Sequence, residues 1–487
     1  MKYFLSIFTL LLSLNILAND KPNFLFILVD DLGRQDLECY GSEFHETPHI
    51  NQLAKESALF SNAYAASPVC SPTRASIQTG KYPSRINFTR ATPTHNLPYE
   101  ETTLAEALKE AGYKTAHMGK WHLRLYKEKG DIHLPTEHGF DINIAGHSAG
   151  QPASFFYPYQ AKAAKYAKNN VPHMEDGKEG DYLTDALTTK AINFMNEHKD
   201  QPFYLNLCYY TVHTPVTGKK DKIKKYEAKL KSEGITESAG AIQDYTTFAR
   251  KKQDNAEYAA MVESMDENIG RLNNFLKESG LDKNTVVIFT SDNGGLSTNK
   301  NSKGGVTSSF PLRGGKAWVY EGGIREPLLI KWSGVTKTGS EISTPVISTD
   351  FYPTILTMAG LPLKPEQHLD GLDLSALLKG EATSLNREEL HFHFPHDHTV
   401  NGMGASAAIR VGDYKLVERF ADGKLELFNL INDVGETKDL SSEFPEITKE
   451  LHKKMKTWRQ ETNSMMPKAK KPKKTLKKTK KTKNKKA

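Results

Sequence analysis

Each of the four most apolar stretches of this sequence ends in polar residues that could carry out chemistry. The first and the last of these stretches are followed by Asp30, Asp31, Asp292 and Asn293. The four side chains offer only oxygen ligands, and because three of them are carboxylates the set favours a hard cation such as Ca²⁺ or Mg²⁺. Zinc would be expected to recruit histidine or thiolate. The alternative for adjacent acidic residues is a turn or a helix cap.

The two middle stretches are followed by side chains that carry or transfer protons: Lys120, His122 and His213. Arg74 and Lys316 add two further cations, and Lys316 lies in a glycine-rich loop. A site that combines a metal ion with these groups suits a compact oxyanion ester, because fixed positive charge and charged hydrogen bonds stabilise its oxygens. At this point the residues leave sulfate and phosphate esters equally open.

The four apolar stretches are typical of strands that are buried on both faces of a parallel sheet. They are residues 23–29, 114–118, 203–211 and 285–290. Helical patterns separate them, for example at residues 102–112 and 258–280. The alternation predicts an α/β fold with a large, mostly parallel central sheet flanked by helices. Because ligands bind beyond the carboxyl ends of such strands, the polar groups should converge on one site.

The alternation of strands and helices weakens after residue 361, where a smaller C-terminal subdomain is predicted. Its short antiparallel strands and closing helix are expected at residues 389–394, 407–419, 424–430 and 446–461. We therefore divide the folded chain into a catalytic domain at residues 19–361 and an α+β subdomain with an antiparallel sheet at residues 362–465.

The first residues of the chain predict export. Residues 1–18 combine Lys2 with an apolar run and end in a small residue, which is the pattern of a secretory signal peptide. The run is too short and too interrupted for a membrane span, so no transmembrane segment is expected. The mature protein should therefore be soluble and either periplasmic or secreted.

The last residues, 466–487, form a lysine-rich tail. Twelve lysines and no acidic residue follow Pro467. The formal net charge is +7, but without these lysines and Lys2 the remaining 52 basic and 58 acidic residues give a charge of −6. So dense a block of like charge predicts disorder. The tail could bind an anionic polymer or a cell surface, or it could only solubilise the protein, whereas nucleic acid is not expected as a partner.

Three cysteines, Cys39, Cys70 and Cys208, are too few for a disulfide framework in an exported chain of this size. The odd number leaves at least one thiol unpaired, and the sequence does not decide whether Cys39 and Cys208 pair. Cys70 lies between two prolines in the stretch SPVCSPTR, among polar and turn-forming residues. That setting argues against an inert thiol packed as a small hydrophobe.

The stretch CSPTR resembles the C-x-P-x-R signature of the type I sulfatases, a formylglycine-dependent family of the alkaline phosphatase superfamily. Further stretches along nearly the whole mature chain are similar to that family's motifs: ASIQTGKYPSR, NFLFILVDDLG, GKWHL, PTEHGFD, VHTP, FTSDNGG, LRGGK and EGGIREP. No departure is found at the positions that the family uses for chemistry. The resemblance implies an alkaline phosphatase-like sandwich and a sulfuric ester hydrolase, most similar to the bacterial carbohydrate sulfatases.

The resemblance also implies two cofactors. In this family the cysteine, here Cys70, is oxidised during export to formylglycine, and the hydrated aldehyde supplies the nucleophile. A formylglycine-generating or sulfatase-maturating enzyme would therefore be a partner. One calcium ion, with magnesium as the second choice, would be held by Asp30, Asp31, Asp292 and Asn293.

The remaining roles follow from the same resemblance. Arg74 and Lys120 would steady the hydrated aldehyde, and His122 would act as the base that releases the sulfate. His213 and Lys316 would bind the sulfate and neutralise the departing alkoxide. The residues after position 70 should begin a helix, and its amino end would favour negative charge near the nucleophile.

The substrate is defined less sharply by the sequence. A sulfated polysaccharide or its oligosaccharides are favoured, although sulfolipids and aryl sulfates remain open. Substrate contacts are expected from His147, Arg313, Arg325 and His396. Four aromatic residues could stack on sugar rings or pack in the core: Phe155, Phe156, Tyr157 and Tyr159. The histidine-rich stretch 391–398 is read as a strand near the pocket rather than as a metal-binding tract, because its phenylalanines alternate.

Two other functions remain open at this stage. A phosphodiesterase or phosphonate monoester hydrolase of the same superfamily would share most of these residues. A non-catalytic protein that binds polysaccharide on a sulfatase scaffold would not need all of them.

Overall fold

The computed structural model describes residues 21–128, 130–236, 240–398 and 401–467. The predicted signal peptide and the tail beyond Pro467 lie outside these ranges. Within the described ranges, no helix is both long and apolar enough to cross a membrane.

An eight-stranded sheet forms the centre of the fold. The strands of the described chain are β1 (Asn23–Val29), β2 (Ala58–Phe60), β3 (Ala63–Tyr64), β4 (Lys114–Gly119), β5 (Ile142–Ile144), β6 (Phe203–Cys208), β7 (Ile242–Asp244), β8 (Thr247–Ala249), β9 (Thr285–Ser291), β10 (Thr298–Asn299), β11 (Arg325–Glu326), β12 (Leu328–Trp332), β13 (Ser340–Ile342), β14 (Val346–Ile347), β15 (Glu389–Phe394), β16 (Ser406–Val411), β17 (Tyr414–Arg419) and β18 (Leu425–Asn429). The order across the central sheet is β13-β2-β12-β9-β1-β6-β4-β5. β12 is antiparallel to both of its neighbours, and the other neighbouring strands are parallel.

The four strands predicted from apolar stretches lie side by side at the middle of this sheet, in the order β9-β1-β6-β4. Every residue of β1, β6 and β9 is buried. Continuous apolar runs suit this position because both faces of a central parallel strand are covered. The prediction of these strands and of a mostly parallel sheet is confirmed.

Helices cover both faces of the sheet. They are α1 (Pro48–Lys55), α2 (Cys70–Thr79), α3 (Leu104–Glu110), α4 (Leu183–Glu197), α5 (Lys220–Ser232), α6 (Ala256–Glu278), α7 (Glu321–Ile324), α8 (Phe351–Met358), α9 (Ser375–Leu378) and α10 (Pro445–Glu461). The predicted apolar face of α6 is buried along its whole length, from Met261 to Leu276. α3 begins where the sequence indicated, because Thr103 accepts from Glu106 N at 3.1 Å and closes a capping box.

The C-terminal part carries a second sheet with the order β15-β16-β17-β18, in which all neighbours are antiparallel. One side of this sheet packs against α10 through Leu451 and Met455, and the other side joins a core shared with Trp318 and Tyr320. The predicted strands and closing helix of this part are present. The boundary placed at residue 361 stays a prediction.

A buried ion triad links the C-terminal sheet to the larger part of the chain. Lys415 Nζ on β17 lies 2.9 Å from Glu321 Oε1 on α7 and 2.8 Å from Glu436 Oε1. All three side chains are 0% exposed. Burial raises the pKa of Glu436 to about 7, although Lys415 opposes the shift. The charge of Lys415, together with that of Arg325 at 3.5 Å from Glu321, therefore makes the burial of two carboxyl groups tolerable.

Replacing Lys415 by methionine should lower the free energy of unfolding by about 3 kcal/mol, because Glu436 loses its cation and Glu321 loses the nearer of its ion-pair partners, with Arg325 remaining at 3.5 Å. Guanidinium unfolding followed by circular dichroism would measure the change. The matched control is Lys424→Met, since Lys424 pairs with Glu426 at 2.9 Å but is 47% exposed. That variant should lose less than about 1 kcal/mol. Equal losses in the two variants would contradict the role given to the triad.

The three cysteines are free thiols: Cys39, Cys70 and Cys208. Cys70 and Cys208 are buried, whereas Cys39 is half-buried. No disulfide therefore joins Cys39 to Cys208 in this structure.

Candidate active site

The carboxyl ends of the central strands meet at one edge of the sheet, and the predicted polar groups follow them directly. Asp292 follows β9, Asp30 follows β1 and Lys120 follows β4. Asp30 N also donates to Thr211 O at 3.0 Å, which ties the loop after β1 to the loop after β6. The parallel topology thus gathers side chains that are distant in the sequence.

Cys70 is the first residue of α2, and the amino end of this helix faces the cluster. Its side chain is 2% exposed, and Sγ lies within 4.8 Å of a carboxylate oxygen of Asp30 and one of Asp292. Sγ is also 3.4 Å from Nδ1 of His122. Burial raises the pKa of the thiol, although Lys120 opposes the shift. All ten residues of α2 are buried.

Asp30 and Asp292 each pair with a buried cation. Lys120 Nζ lies 2.8 Å from both carboxylate oxygens of Asp30. Arg74 donates from Nε to Asp292 Oδ2 at 2.8 Å and from its Nη1 to the Lys120 carbonyl at 2.7 Å. Burial raises the pKa of Asp30 even though Lys120 opposes the shift. Arg74 and Lys120 therefore hold fixed positive charge beside Cys70.

Asp31, His213 and Lys316 form the second half of the cluster. Lys316 Nζ lies 2.6 and 2.7 Å from the two oxygens of Asp31 and 3.1 Å from His213 Nε2. Burial alone would raise the pKa of Asp31, but Lys316 and His213 hold it below its usual range. Burial, followed by the charge of Lys316, lowers the pKa of His213 to about 3. His213 Nδ1 is 2.8 Å from the Thr214 carbonyl, so Nδ1–H donates there and Nε2 accepts from Lys316.

The cluster also contains a side-chain oxygen atom that is available as a ligand for a metal ion. Asn293 Nδ2 donates to Asp31 Oδ1 at 2.8 Å, whereas Asn293 Oδ1 is buried without a hydrogen-bond partner in the described chain. Asp30 and Asp31 offer carboxylate oxygens that lie within 4.8 Å of each other. Buried amide oxygens rarely stay unpaired. Together with three carboxylates, this amide oxygen fits a hard divalent cation.

The backbone at the site is unusual in two places. Asp31 and His122 have positive φ angles of 59° and 58°. Side chains other than glycine avoid this region, at a cost of about 1 kcal/mol or more, and it persists where contacts fix the geometry. Gly119 precedes Lys120 and His122 with φ 100°, and a Cβ there would lie 1.9 Å from Cys208 O. Glycine is therefore needed for β4 to deliver Lys120 and His122 into the cluster.

Of the expected substrate contacts, His147 is the one that lies beside the cluster. Its carbonyl accepts from His122 N at 3.0 Å, and its Nε2 is buried without a partner in the described residues. The four aromatic residues that could stack on sugar rings or pack in the core all pack in or against the core. Phe155 and Tyr159 are 0% exposed and belong to the hydrophobic core. Phe156 and Tyr157 are partly buried and pack against the same core. Of the two roles that the sequence left open for these aromatics, core packing is the one that the structure shows.

Arg313 and Arg325 are not brought to the cluster, because both guanidinium groups are engaged elsewhere. Arg313 forms a two-pronged ion pair with Asp244, at 3.0 Å for each prong. Arg325 donates to the carbonyl of Ser61 at 2.9 Å and 2.7 Å. Their position beside the Lys316 loop in sequence gave no indication of these partners.

His396 lies apart from the cluster as well, with Nε2 2.8 Å from Thr89 Oγ1. His398, two residues further on, is the histidine of this stretch that approaches the site. Burial, followed by the charge of Lys316, lowers the pKa of its ring. The strand pattern could not distinguish the two histidines, because β15 ends at Phe394.

Comparisons with known proteins agree with this geometry. The family model named Sulfatase matches residues 22–361. The chain belongs to the sulfatase family. A second model, for the C-terminal region of N-sulphoglucosamine sulphohydrolase, matches residues 314–461.

Individual sulfatases are similar over most of the chain. A sulfatase of Formosa agariphila is 31% identical over 91% of this chain and 89% of its own length. The N-acetylgalactosamine-6-sulfatase of Mus musculus is 33% identical over 75% of this chain and 68% of its own length. The solved structure of Ps i-CgsB gives a TM-score of 0.73 at 31% identity and covers 90% of this chain and 92% of that one.

Membership of the sulfatase family makes the chain a sulfuric ester hydrolase. The predicted family and the predicted alkaline phosphatase-like α/β fold are thereby confirmed. The acidic groups of the site are compatible with the divalent metal that this family generally uses.

Proposed function

We propose that this sulfatase is exported and removes sulfate esters from a sulfated polysaccharide or its oligosaccharides, using formylglycine made from Cys70 and one calcium ion. The observation that carries the proposal is the approach of Cys70, Asp30 and Asp292 to within 4.8 Å of one another. The sequence pattern of residues 1–18 supports export. The similarity to Ps i-CgsB, which has been solved in complex with k-i-k-neocarrahexaose, supports a sulfated carbohydrate.

The first part of the reaction would take place at position 70. Formylglycine would supply, as its hydrate, one hydroxyl to attack sulfur and a second hydroxyl whose deprotonation releases sulfate. His122 is the base within reach, with Nδ1 3.4 Å from the Cys70 sulfur. Burial and the nearby charge of Lys120 lower the pKa of His122 well below its usual value, so its ring is neutral and can accept a proton.

Calcium bound by Asp30, Asp31, Asp292 and Asn293 would supply positive charge to a sulfate oxygen. The orphaned amide oxygen of Asn293 supports this assignment of ligands. A maturating enzyme that acts on Cys70 belongs to the same proposal.

The leaving group would be handled by the second half of the cluster. Lys316 carries the proton that can be transferred to the departing oxygen, and His213 orients the ammonium group by accepting from it at 3.1 Å. A sugar alcohol is a poorer leaving group than a phenol, so it depends more on this assistance.

His213→Ala should therefore discriminate between leaving groups. We expect kcat/KM to fall about 10²- to 10³-fold for a sugar sulfate and no more than about tenfold for 4-nitrophenyl sulfate. His198→Ala is the matched control, because His198 lies at the end of α4 and contacts Gln201. Equal losses for the two substrates would contradict a role at the leaving group.

A panel of substrates would test the function itself. Purified protein is incubated with defined sulfated oligosaccharides, an aryl sulfate, a phosphate monoester and a phosphonate monoester, and released anions are measured by ion chromatography. Sulfate release from an oligosaccharide is expected to be fastest. Faster release of phosphate or phosphonate would overturn the proposal in favour of a phosphoesterase. Binding without any turnover by protein with a modified Cys70 would favour a polysaccharide-binding role.

The lysine-rich tail is proposed to hold the anionic polymer near the enzyme. Removal of residues 468–487 takes away twelve positive charges. It should raise KM for a sulfated polysaccharide several-fold at low salt, and the difference should shrink at high salt. An unchanged KM at low salt would assign the tail a solubilising role only.

A further inference from the structure

A second cavity, of about 540 Å³, opens between the loop before α3 and the last described residues of the chain. Its lining includes Arg90, His396, Asp397, Phe420, Met465 and Met466. The volume lies in the range of about 300–1,000 Å³ that is usual for ligand pockets. None of these residues takes part in the cluster around Cys70.

One wall of the cavity is attached to the candidate active site through the backbone. The residue after Arg90 is Ala91, and its carbonyl accepts from Ser71 Oγ at 2.9 Å. Ser71 follows Cys70, and its hydroxyl also lies 2.9 Å from the carbonyl of His122. Arg90 and Cys70 are the direct neighbours of these two bonded residues. Since adjacent Cα atoms are about 3.8 Å apart, the backbone of Arg90 lies close to that of Cys70.

A second part of the lining is also connected to the site. His396 lines the cavity, and His398, two residues later, is close enough to Lys316 to respond to its charge. A Cβ at Gly402 would lie 2.6 Å from the Cβ of His398 and 3.3 Å from that of Ala317. The cavity therefore lies next to the cluster rather than on a distant face.

Arg90 is the side chain of the lining that suits an anionic sugar unit, while Asp397 adds a carboxyl group to the same lining. Arg90 is exposed and forms no hydrogen bond or ion pair with any residue that the structure describes, so its guanidinium group is available. Guanidinium matches the fork of oxygens on a sulfate ester. Met465 and Met466 are 38% and 50% exposed and give the rim an apolar surface that could cover the face of a sugar ring.

We propose that this cavity binds the sugar unit next to the one whose sulfate is removed, and that Arg90 pairs with a sulfate ester on that neighbouring unit. The proposal rests on the proposed function and extends it, because it makes the enzyme selective for substrates that carry sulfate on two adjacent units.

Binding to a Cys70→Ala background would test this without turnover. Two tetrasaccharides are compared by titration calorimetry, one with sulfate on two adjacent units and one that lacks the sulfate on the second unit. Adding Arg90→Ala should weaken binding of the doubly sulfated ligand about tenfold and of the singly sulfated ligand less than twofold. Arg90→Lys should recover part of the loss. The matched control is Lys337→Ala, which removes another exposed positive charge. It should change the affinity for both ligands by the same factor.

Equal weakening of the two ligands by Arg90→Ala, or no weakening of either, would overturn the assignment of the cavity. A failure of the proposed function would be visible separately, because it would show as the absence of sulfate release by the unsubstituted enzyme. The melting temperature of Arg90→Ala should match that of the parent protein, since the side chain is exposed.

Discussion

Cys70→Ala is expected to lower kcat/KM for sulfate release by about 10⁴-fold or more, because the site would lose the group from which the nucleophile is made. The side chain is 2% exposed, and alanine is smaller than cysteine, so the fold should tolerate the change. Sulfate release from an aryl sulfate and from an oligosaccharide would be measured. Mass spectrometry of the peptide that contains residue 70 should show a species lighter than the cysteine form in active protein.

Cys39→Ala is the matched control for this experiment. Cys39 is a free, half-buried thiol that packs against the core outside the cluster. We expect full activity from this variant. Activity that survived in Cys70→Ala, with the other cysteines unchanged, would remove Cys70 from the mechanism and leave the cluster without its nucleophile.

Asp292→Asn should have the second largest effect, a loss of about 10²- to 10³-fold in kcat/KM. The amide keeps the shape of the carboxylate but removes its charge, so Arg74 loses its ion pair at 2.8 Å and the proposed metal site loses a ligand charge. Calcium added to chelator-treated enzyme should raise the melting temperature of the unsubstituted protein, because binding stabilises the folded state. In Asp292→Asn this increase should be absent or much smaller.

An exposed aspartate provides the control for the change of charge. Asp422 is 53% exposed, pairs with Arg419 and accepts from Lys424 N at 3.2 Å, far from the cluster in the sequence, so Asp422→Asn should retain activity and the calcium response. Restoring chelated enzyme with magnesium in place of calcium distinguishes the two cations. If Asp292→Asn kept both its metal content and its activity, the proposed ligand set would be wrong.

The central strands could be predicted because the sheet buries both of their faces. The prediction for residues 23–29 coincides with β1, and that for 285–290 differs from β9 by one residue. The proximity of Asp30 and Asp292 could be predicted as well. Both residues follow parallel strands, and the carboxyl ends of such strands lie at the same edge of the sheet.

The surroundings of the expected substrate-binding residues could not be predicted in this way, because they depend on side-chain partners that are distant in the sequence. Arg313 was expected near substrate, but it forms an ion pair with Asp244. That residue lies on a short strand 69 residues away in the sequence. Phe155 looked equally suited to a sugar ring and to the core, and burial decides for the core. His396 and His398 are two positions apart and lie beyond the end of β15, where no periodic pattern remains to orient them.

Complete enclosure of α2 bears on whether the proposed modification of Cys70 would come before or after folding. All ten of its residues are covered by neighbouring elements, and the helix begins with Cys70 itself. A separate enzyme that modifies Cys70, as proposed, would need access to a side chain that is 2% exposed in the folded protein. The proposed oxidation of the thiol should therefore precede folding, and protein that folds with the thiol intact should stay inactive when it later meets a maturating enzyme.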